Sequence, residues 1–104
     1  MIPKTIKVAE VSDVDPGEAK TVEVDGQALA LFNVDGTFYA TDNTCSHVGG
    51  PLGEGALIGK EITCPLHGAQ FDVTSGKVLG EPARSDVKCF NVKVEGNEVF
   101  VELQ

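Results

Sequence analysis

The sequence predicts an all-β domain, because short alternating segments recur at both ends of the chain with turn residues between them. Polar and apolar residues alternate within these segments, as in strands that bury one face. Asp25-Gly26 and Asp35-Gly36 each separate two such segments, and Asp-Gly pairs favour the tight turns of β-hairpins. Several short strands joined by turns are typical of an antiparallel barrel or sandwich.

The predicted elements follow in chain order. The first half of the chain holds four expected strands, at residues 5–9, 20–24, 28–34 and 37–41. A turn rich in Asp, Pro and Gly is expected at 11–18, after the first of them. The second half adds expected strands at 87–94 and 98–103, with a turn at 95–97 between them. No helix is expected.

The middle of the chain differs from both ends. Residues 43–84 hold eight of the twelve glycines, two of the three cysteines and both histidines. We interpret this stretch as a loop-rich insertion that carries chemistry on loops. The chain is then one domain, with a base formed by 1–42 and 85–104 and an insertion at 43–84. A length of 104 residues agrees with a single domain.

Charge and composition exclude several functions. The formal charge of −8 disfavours nucleic-acid binding, because phosphates would be repelled. The same charge could serve solubility alone or could steer the protein toward a basic partner. No apolar run approaches the ~20 residues of a membrane span, and residues 1–5 lack the basic start and apolar stretch that are typical of a signal peptide. We therefore expect a cytoplasmic monomer that does not contact a membrane.

The cysteines and histidines suggest metal binding. Three cysteines, an odd number, argue against a disulfide framework and for metal ligation. Cys45 and His47 form one pair, and Cys64 and His67 form another after a gap of sixteen residues. A 2Fe–2S cluster with mixed ligands takes two cysteines on one iron and two histidines on the other. The two pairs can supply that set.

Three other interpretations of these four residues compete. A structural zinc site could use two cysteines and two histidines, but such sites usually pair like ligands, whereas each pair here is mixed. Catalytic Cys/His chemistry needs one pair and would leave the other unexplained. The histidines could also pack or occupy turns, although both lie within three residues of a cysteine.

At these residues the chain resembles the Rieske ferredoxins, and the resemblance covers nearly its whole length. In that family the two cluster loops are Cys-x-His and Cys-x-x-His, as they are here. The segments 38–43, 67–72 and 74–76 are similar to those that flank the family's loops, and 80–83 is similar to its third loop, whose proline, here Pro82, covers the cluster.

The resemblance implies a fold of three antiparallel sheets, with a cluster-binding subdomain inserted in a β base. It also implies a 2Fe–2S cluster on Cys45, His47, Cys64 and His67, and a role as an electron carrier that is not itself an enzyme. In the family the donor is usually a flavoprotein ferredoxin reductase that uses NADH or NADPH. The acceptor is usually a terminal oxygenase that acts on aromatic rings. A small Rieske subunit of a larger reductase, such as nitrite reductase, is the alternative.

Further residues separate this chain from the Rieske proteins of cytochrome complexes. Those proteins carry a disulfide between their loops, at positions occupied here by Gly50 and Leu66. They also carry two hydroxyl donors after the second histidine, where this chain has Ala69 and Phe71. Hydrogen bonds to the sulfurs raise the potential, so their loss predicts a low-potential cluster. Cys89, on an expected strand, is interpreted as a buried packing thiol.

Overall fold

The computed structural model describes residues 4–43, 51–65, 68–80 and 86–103, and in these ranges the chain forms antiparallel sheets. In chain order the strands are β1 (Lys4–Glu10), β2 (Ala19–Val24), β3 (Gln27–Val34), β4 (Thr37–Asp42), β5 (Ala56–Ile58), β6 (Glu61–Thr63), β7 (Gln70–Asp72), β8 (Val78–Gly80), β9 (Cys89–Phe90), β10 (Val92–Glu95) and β11 (Glu98–Leu103). The prediction of an all-β chain is confirmed.

The strands form three sheets. The first base sheet has the order β1-β11-β10, and the second base sheet has the order β2-β3-β4-β9. The insertion sheet has the order β5-β6-β7-β8. Every pairing in the three sheets is antiparallel.

Two predicted hairpins shape the second base sheet. Asp25 and Gly26 have φ of 57° and 80°, and Asp35 and Gly36 have φ of 51° and 94°. Positive φ at both central residues is the property of the type I′ turn, whose twist matches that of paired strands. β2 pairs with β3 directly up to the first turn, and β3 with β4 directly up to the second.

β3 is buried on both faces, which places the second base sheet between two hydrophobic cores. Leu29 and Leu31 belong to the first core and Ala30 and Phe32 to the second, and all four are 0% exposed. Alternate residues of a strand point to opposite faces, so one strand serves both cores. The first core is completed by Ala9, Val14, Val22, Val24, Phe38, Ala40, Val99, Val101 and Leu103.

The second core joins the base to the insertion. Its remaining members come from the segments between β4 and β9: Leu52, Ile62, Cys64, Ala69, Phe71, Val73 and Val87. One predicted metal ligand, Cys64, is thus part of this core, where it is 2% exposed. The insertion therefore does not stand apart from the base but packs on the outer face of β3.

The expected strand at 87–94 is divided, which corrects the sequence prediction. β9 pairs with β4 in the second base sheet, whereas β10 pairs with β11 in the first. Asn91 lies between them, and its carbonyl accepts a hydrogen bond from Glu102 N–H at 2.9 Å. The alternation runs through unbroken because both halves are strands, so the change of sheet at Asn91 leaves no mark in the pattern.

The middle of the chain contains more regular structure than a loop-rich insertion implies. The four strands of the insertion sheet lie between residues 56 and 80, and each is three residues long. Three residues are too few to display an alternation, which explains why no strand was predicted there. The bounds of 43–84 for the insertion remain a prediction.

Two single-turn 3₁₀ helices were also not expected. Val11–Asp13 forms the first, inside the predicted turn after β1, and Leu52–Glu54 forms the second. In the parts of the chain that the structure describes, no helix has the length and apolarity needed to cross a membrane.

Candidate metal centre

Of the four predicted ligands, the structure describes Cys64. Cys45, His47 and His67 lie outside the described residues, as do Gly50, Leu66 and Pro82. The described residues on either side of the two ligand loops show how each loop begins and ends. We define the first loop as residues 44–51 and the second loop as residues 64–69.

Strand β6 leads into the second loop. Ile62 is 0% exposed in the second core, and Cys64, two residues later, is on the same side of the chain and 2% exposed. Cys64 N–H donates to the Ala69 carbonyl at 2.7 Å, which closes the second loop at its base. Gly68 has φ of 74°, a conformation that suits glycine, just before the chain enters β7. The thiol of Cys64 therefore lies at the base of a tight loop, on a buried support.

The first loop is closed in a similar way. It begins after Asn43 and ends at the second 3₁₀ turn, where Leu52 N–H donates to the Asn43 carbonyl at 2.7 Å. The Asn43 side chain adds a second tie, because its Oδ1 accepts Gly53 N–H at 2.8 Å. It also accepts the Thr21 hydroxyl at 3.1 Å, and Thr21 belongs to β2. Both loops thus start and end at hydrogen-bonded positions.

The two loops are brought together by close packing of the segments beside them. A Cβ added at Gly55 would overlap the carbonyl oxygen of Thr63 and would lie 3.3 Å from Ile62 Cδ1. Ala56 pairs with Thr63 in the insertion sheet. The residues that follow the first loop therefore contact the residue that precedes Cys64, so the bases of the two loops are neighbours.

A third segment, residues 81–85, also lies outside the described residues, but both of its ends are held. Val78 N–H donates to Asp86 Oδ1 at 2.8 Å, and Val87 N–H donates to the Gly76 carbonyl at 2.8 Å. Gly76 has φ of 78°, and a Cβ there would overlap the carbonyl oxygen of Val87. A glycine is required at this contact between the insertion and the base.

Asp72 organises the turn between β7 and β8. Thr74 donates to its Oδ1 through the hydroxyl at 2.6 Å and through the backbone N–H at 2.8 Å, while Lys60 Nζ lies 3.6 Å from Oδ2. The Thr74 hydroxyl is the main cause that lowers the pKa of Asp72, and the Thr74 N–H and the Lys60 charge act in the same direction against burial. The carboxylate is therefore held in its charged form as a fixed part of this turn.

Cys89 was predicted to be a buried packing thiol, and the structure shows it less buried than that. It is partly buried, because the two-residue strand β9 lies at an edge of the second base sheet. Burial raises the pKa of the Cys89 thiol, and the carboxylates of Asp72 and Asp42 raise it further. A thiol with a raised pKa is less often a thiolate, which makes it a poorer nucleophile and metal ligand.

Ala69 and Phe71 belong to the second core with Cys64, and both are 0% exposed. Neither side chain can donate a hydrogen bond. The surroundings of Cys64 on this side are therefore apolar, and water is excluded from them. A dry, apolar support is the setting in which soft thiolate ligands hold iron–sulfur centres.

These features fit a compact metal centre between two loops. Cys64 is fixed at the base of the second loop, and the segment that follows the first loop, which holds Cys45 and His47 in sequence, packs against Thr63 next to it. Two thiolates and two imidazoles form a donor set suited to zinc or to a mixed-ligand iron–sulfur cluster. Sequence reasoning missed the part played by Asn43 and Asp72, because a single polar residue at the end of a strand carries no periodic signal.

Comparison with known proteins separates these possibilities. Residues 4–91 match the family model of the Rieske [2Fe–2S] domain. The chain is 42% identical over 103 residues to the ferredoxin component of the naphthalene 1,2-dioxygenase system of Pseudomonas putida, covering 99% of each protein.

Solved structures agree with this match. A ferredoxin of Sphingomonas yanoikuyae B1 superposes with a TM-score of 0.91 at 32% identity, over 97% of this chain and 100% of that one. A chain in a complex of reduced oxygenase and oxidized ferredoxin of carbazole 1,9a-dioxygenase gives a TM-score of 0.88 at 39% identity, over 93% of this chain and 91% of that one.

Proposed function

Because this chain belongs to the Rieske [2Fe–2S] domain family, we propose that Cys45, His47, Cys64 and His67 hold its cluster. The chain carries a Rieske-type 2Fe–2S cluster and acts as an electron carrier rather than a catalyst. The observation that carries this conclusion is the match to ferredoxin components along 99% of the chain.

The ligand set follows from the donor chemistry of the two loops. A Rieske cluster takes two cysteines on one iron and two histidines on the other, and each loop contributes one of each. The buried position of Cys64 and the contact between the loop bases support this assignment. Cys89 is left out because it lies in β9, apart from both loops in sequence, and because its thiol has a raised pKa.

The rest of the chain prepares this site for one-electron chemistry, which the cluster supplies when bound. Cys64 is held by Ile62, Phe71 and Ala69 in a region that excludes water. The backbone ties at Asn43 and Ala69 fix the ends of both loops. Because the loop ends are fixed, the ligands need to move little when the cluster gains or loses an electron.

We further propose that the acceptor is a terminal oxygenase of an aromatic-ring dioxygenase system and that the donor is a flavoprotein NAD(P)H reductase. Support for the acceptor comes from the structural neighbour in which a ferredoxin is bound to an oxygenase. Support for both partners comes from relatives named as ferredoxin components of dioxygenase systems. The alternative, a small subunit of a larger reductase, has less support, because a nitrite reductase small subunit matches at 25% identity and a TM-score of 0.75, whereas the naphthalene dioxygenase ferredoxin component is 42% identical.

The proposed carrier works as a cytoplasmic monomer. An odd number of cysteines, two of them assigned to the cluster, suits a reducing compartment. The charge of −8 is available to steer the protein toward basic faces on its partners.

The test is reconstitution of electron transfer. The purified protein, a flavoprotein reductase and NADH are mixed with a terminal naphthalene dioxygenase, and product formation is followed at several salt concentrations. We expect turnover only with the ferredoxin present, at a rate that falls as salt screens the charge. If the reductase and the oxygenase form product equally well without this protein, for every aromatic-ring oxygenase tried, the assignment of partners is contradicted.

A further inference from the structure

We propose that Asn43 is a positioning residue for the cluster, acting through the first loop on Cys45 and His47. This inference rests on the ligand set proposed above. Asn43 is 8% exposed and precedes Cys45 by two residues. It is one of the few buried polar residues in the described part of the chain, and its hydrogen bonds lead to both ends of the first loop and to the base.

Asn43 accepts three hydrogen bonds, two from the residues that follow the first loop and one from β2. Its carbonyl accepts Leu52 N–H at 2.7 Å, and its Oδ1 accepts Gly53 N–H at 2.8 Å. The same Oδ1 accepts the Thr21 hydroxyl at 3.1 Å. Asn43 N–H is directed to the Ala28 carbonyl of β3 at 3.4 Å. One residue thus connects the start of the loop, the end of the loop and two strands of the second base sheet.

The segment at the end of the first loop, Leu52–Glu54, has little freedom to move. A Cβ at Gly53 would lie 2.6 Å from Thr21 N and would overlap the Thr21 hydroxyl oxygen. The backbone of the second 3₁₀ turn therefore lies directly against β2, and Leu52 is 0% exposed beneath it. Because the end of the first loop is fixed in this way, the hydrogen bonds of the Asn43 side-chain amide set the position of the start of the loop.

The oxygen of the Asn43 side-chain amide is the group that holds the first loop to the base. Gly53 N–H can only donate, so the oxygen and not the nitrogen of the Asn43 amide must face it. Loss of this acceptor would leave a buried N–H and a partly buried hydroxyl without a partner, which proteins rarely tolerate. The first loop would then change its start, and two of the four proposed ligands would move with it.

Asn33 provides a matched control in the same sheet. It is 2% exposed, its Nδ2 donates to the Val14 carbonyl at 2.7 Å, and its Oδ1 accepts Gly36 N–H at 2.8 Å. It lies beside the turn between β3 and β4, at the opposite end of the sheet from Asn43. Replacing it also removes a buried amide with two hydrogen bonds, but far along β3 and β4 from the first loop.

The experiment compares Asn43→Ala, Asn43→Asp and Asn33→Ala in the cluster-loaded protein. The readouts are the electron paramagnetic resonance spectrum after reduction and the half-life of iron release to a chelator. We expect Asn43→Ala to change the spectrum and to shorten the half-life at least about tenfold, because two buried donors lose their acceptor. Asn33→Ala should keep the spectrum and stay within about twofold of the wild-type half-life, since its hydrogen bonds lie outside the loop.

Asn43→Asp tests whether the acceptor itself is responsible. A carboxylate oxygen can accept both Gly53 N–H and the Thr21 hydroxyl, so the wild-type spectrum should return. If Asn43→Asp behaves like Asn43→Ala, or if Asn43→Ala behaves like Asn33→Ala, the positioning role is overturned. Where Asn43→Ala fails to assemble a cluster, Thr21→Val removes one donor at nearly constant volume. Faster iron release from Thr21→Val than from Asn33→Ala then supports the proposal, and equal rates overturn it.

A Cys45→Ala variant separates this inference from the proposed ligand set. If Cys45→Ala keeps its two irons, the ligand assignment fails and the positioning argument fails with it. If Cys45→Ala loses iron while Asn43→Ala resembles Asn33→Ala, the ligand set stands and only the role of Asn43 is refuted.

Discussion

Replacing Leu52 by alanine should destabilise the protein strongly, because Leu52 connects the first loop to the second core. Its side chain is 0% exposed among Phe32, Ile62 and Phe71. A fully buried Leu→Ala change in a close-packed core removes about 2.7–5 kcal/mol of the free energy of unfolding. The 3₁₀ turn is held against β2 by Gly53, so the cavity cannot collapse easily, and we expect about 3 kcal/mol.

The expected shift in melting temperature follows from the size of the chain. A domain of about 100 residues loses roughly 4 °C for each kcal/mol, so Leu52→Ala should melt about 12 °C lower. The assay is far-ultraviolet circular dichroism of the cluster-loaded protein, recorded at one heating rate. Cluster loss accompanies unfolding, so midpoints are compared only between samples treated identically.

Leu79→Ala is the matched control. Leu79 is 46% exposed on β8, and the same change in side chain should cost less than about 1 kcal/mol there. A melting temperature for Leu52→Ala within a few degrees of that for Leu79→Ala would refute the argument. It would mean that the second core does not support the first loop as the structure indicates.

Three further predictions concern other parts of the molecule. Asp72→Asn should destabilise the protein near neutral pH. Because folding lowers the pKa of Asp72, its charged carboxylate stabilises the fold above the unfolded-state pKa, and this stabilisation is lost as pH falls through the folded-state pKa. The melting temperatures of wild type and variant should therefore converge as the pH is lowered. A difference that stays constant with pH would contradict this. Cys89→Ala should retain full iron content and an unchanged spectrum, and iron loss would show that the ligand set is wrong. The reduction potential, measured by potentiometric titration, should lie near the low end of the Rieske range, at about −150 mV, and a wild-type value well above zero would contradict this. In the same titration Ala69→Ser or Phe71→Tyr should raise the potential if the added hydroxyl reaches a sulfur.

The base of the fold could be predicted because its signals are local. The alternation of β2, the apolar run of β3 and the two Asp-Gly turns predict β2, β3 and β4, and the structure confirms them within one or two residues. The division of the last predicted strand at Asn91 could not be predicted. Pairing partners are chosen by contacts far apart in sequence, and β9 and β10 continue one alternation while joining different sheets.

The metal centre shows the same contrast. The pairs Cys45/His47 and Cys64/His67 are visible in the sequence because ligand chemistry restricts residue type and spacing. The residues that support them are less visible. Asn43 is important because of hydrogen bonds to Gly53 and Thr21, and the latter is 22 positions away along the chain. Such a tie depends on the folded arrangement of β2 and the first loop.

The most direct test of the central claim is the nitrogen hyperfine spectrum of the reduced protein. Pulsed electron paramagnetic resonance of protein labelled with ¹⁵N-histidine should show strong coupling to two histidine nitrogens, as expected for a Rieske cluster. The coupling from one of them should vanish in His47→Cys and from the other in His67→Cys. A spectrum without histidine nitrogens, or one zinc ion in place of two irons, would contradict the account.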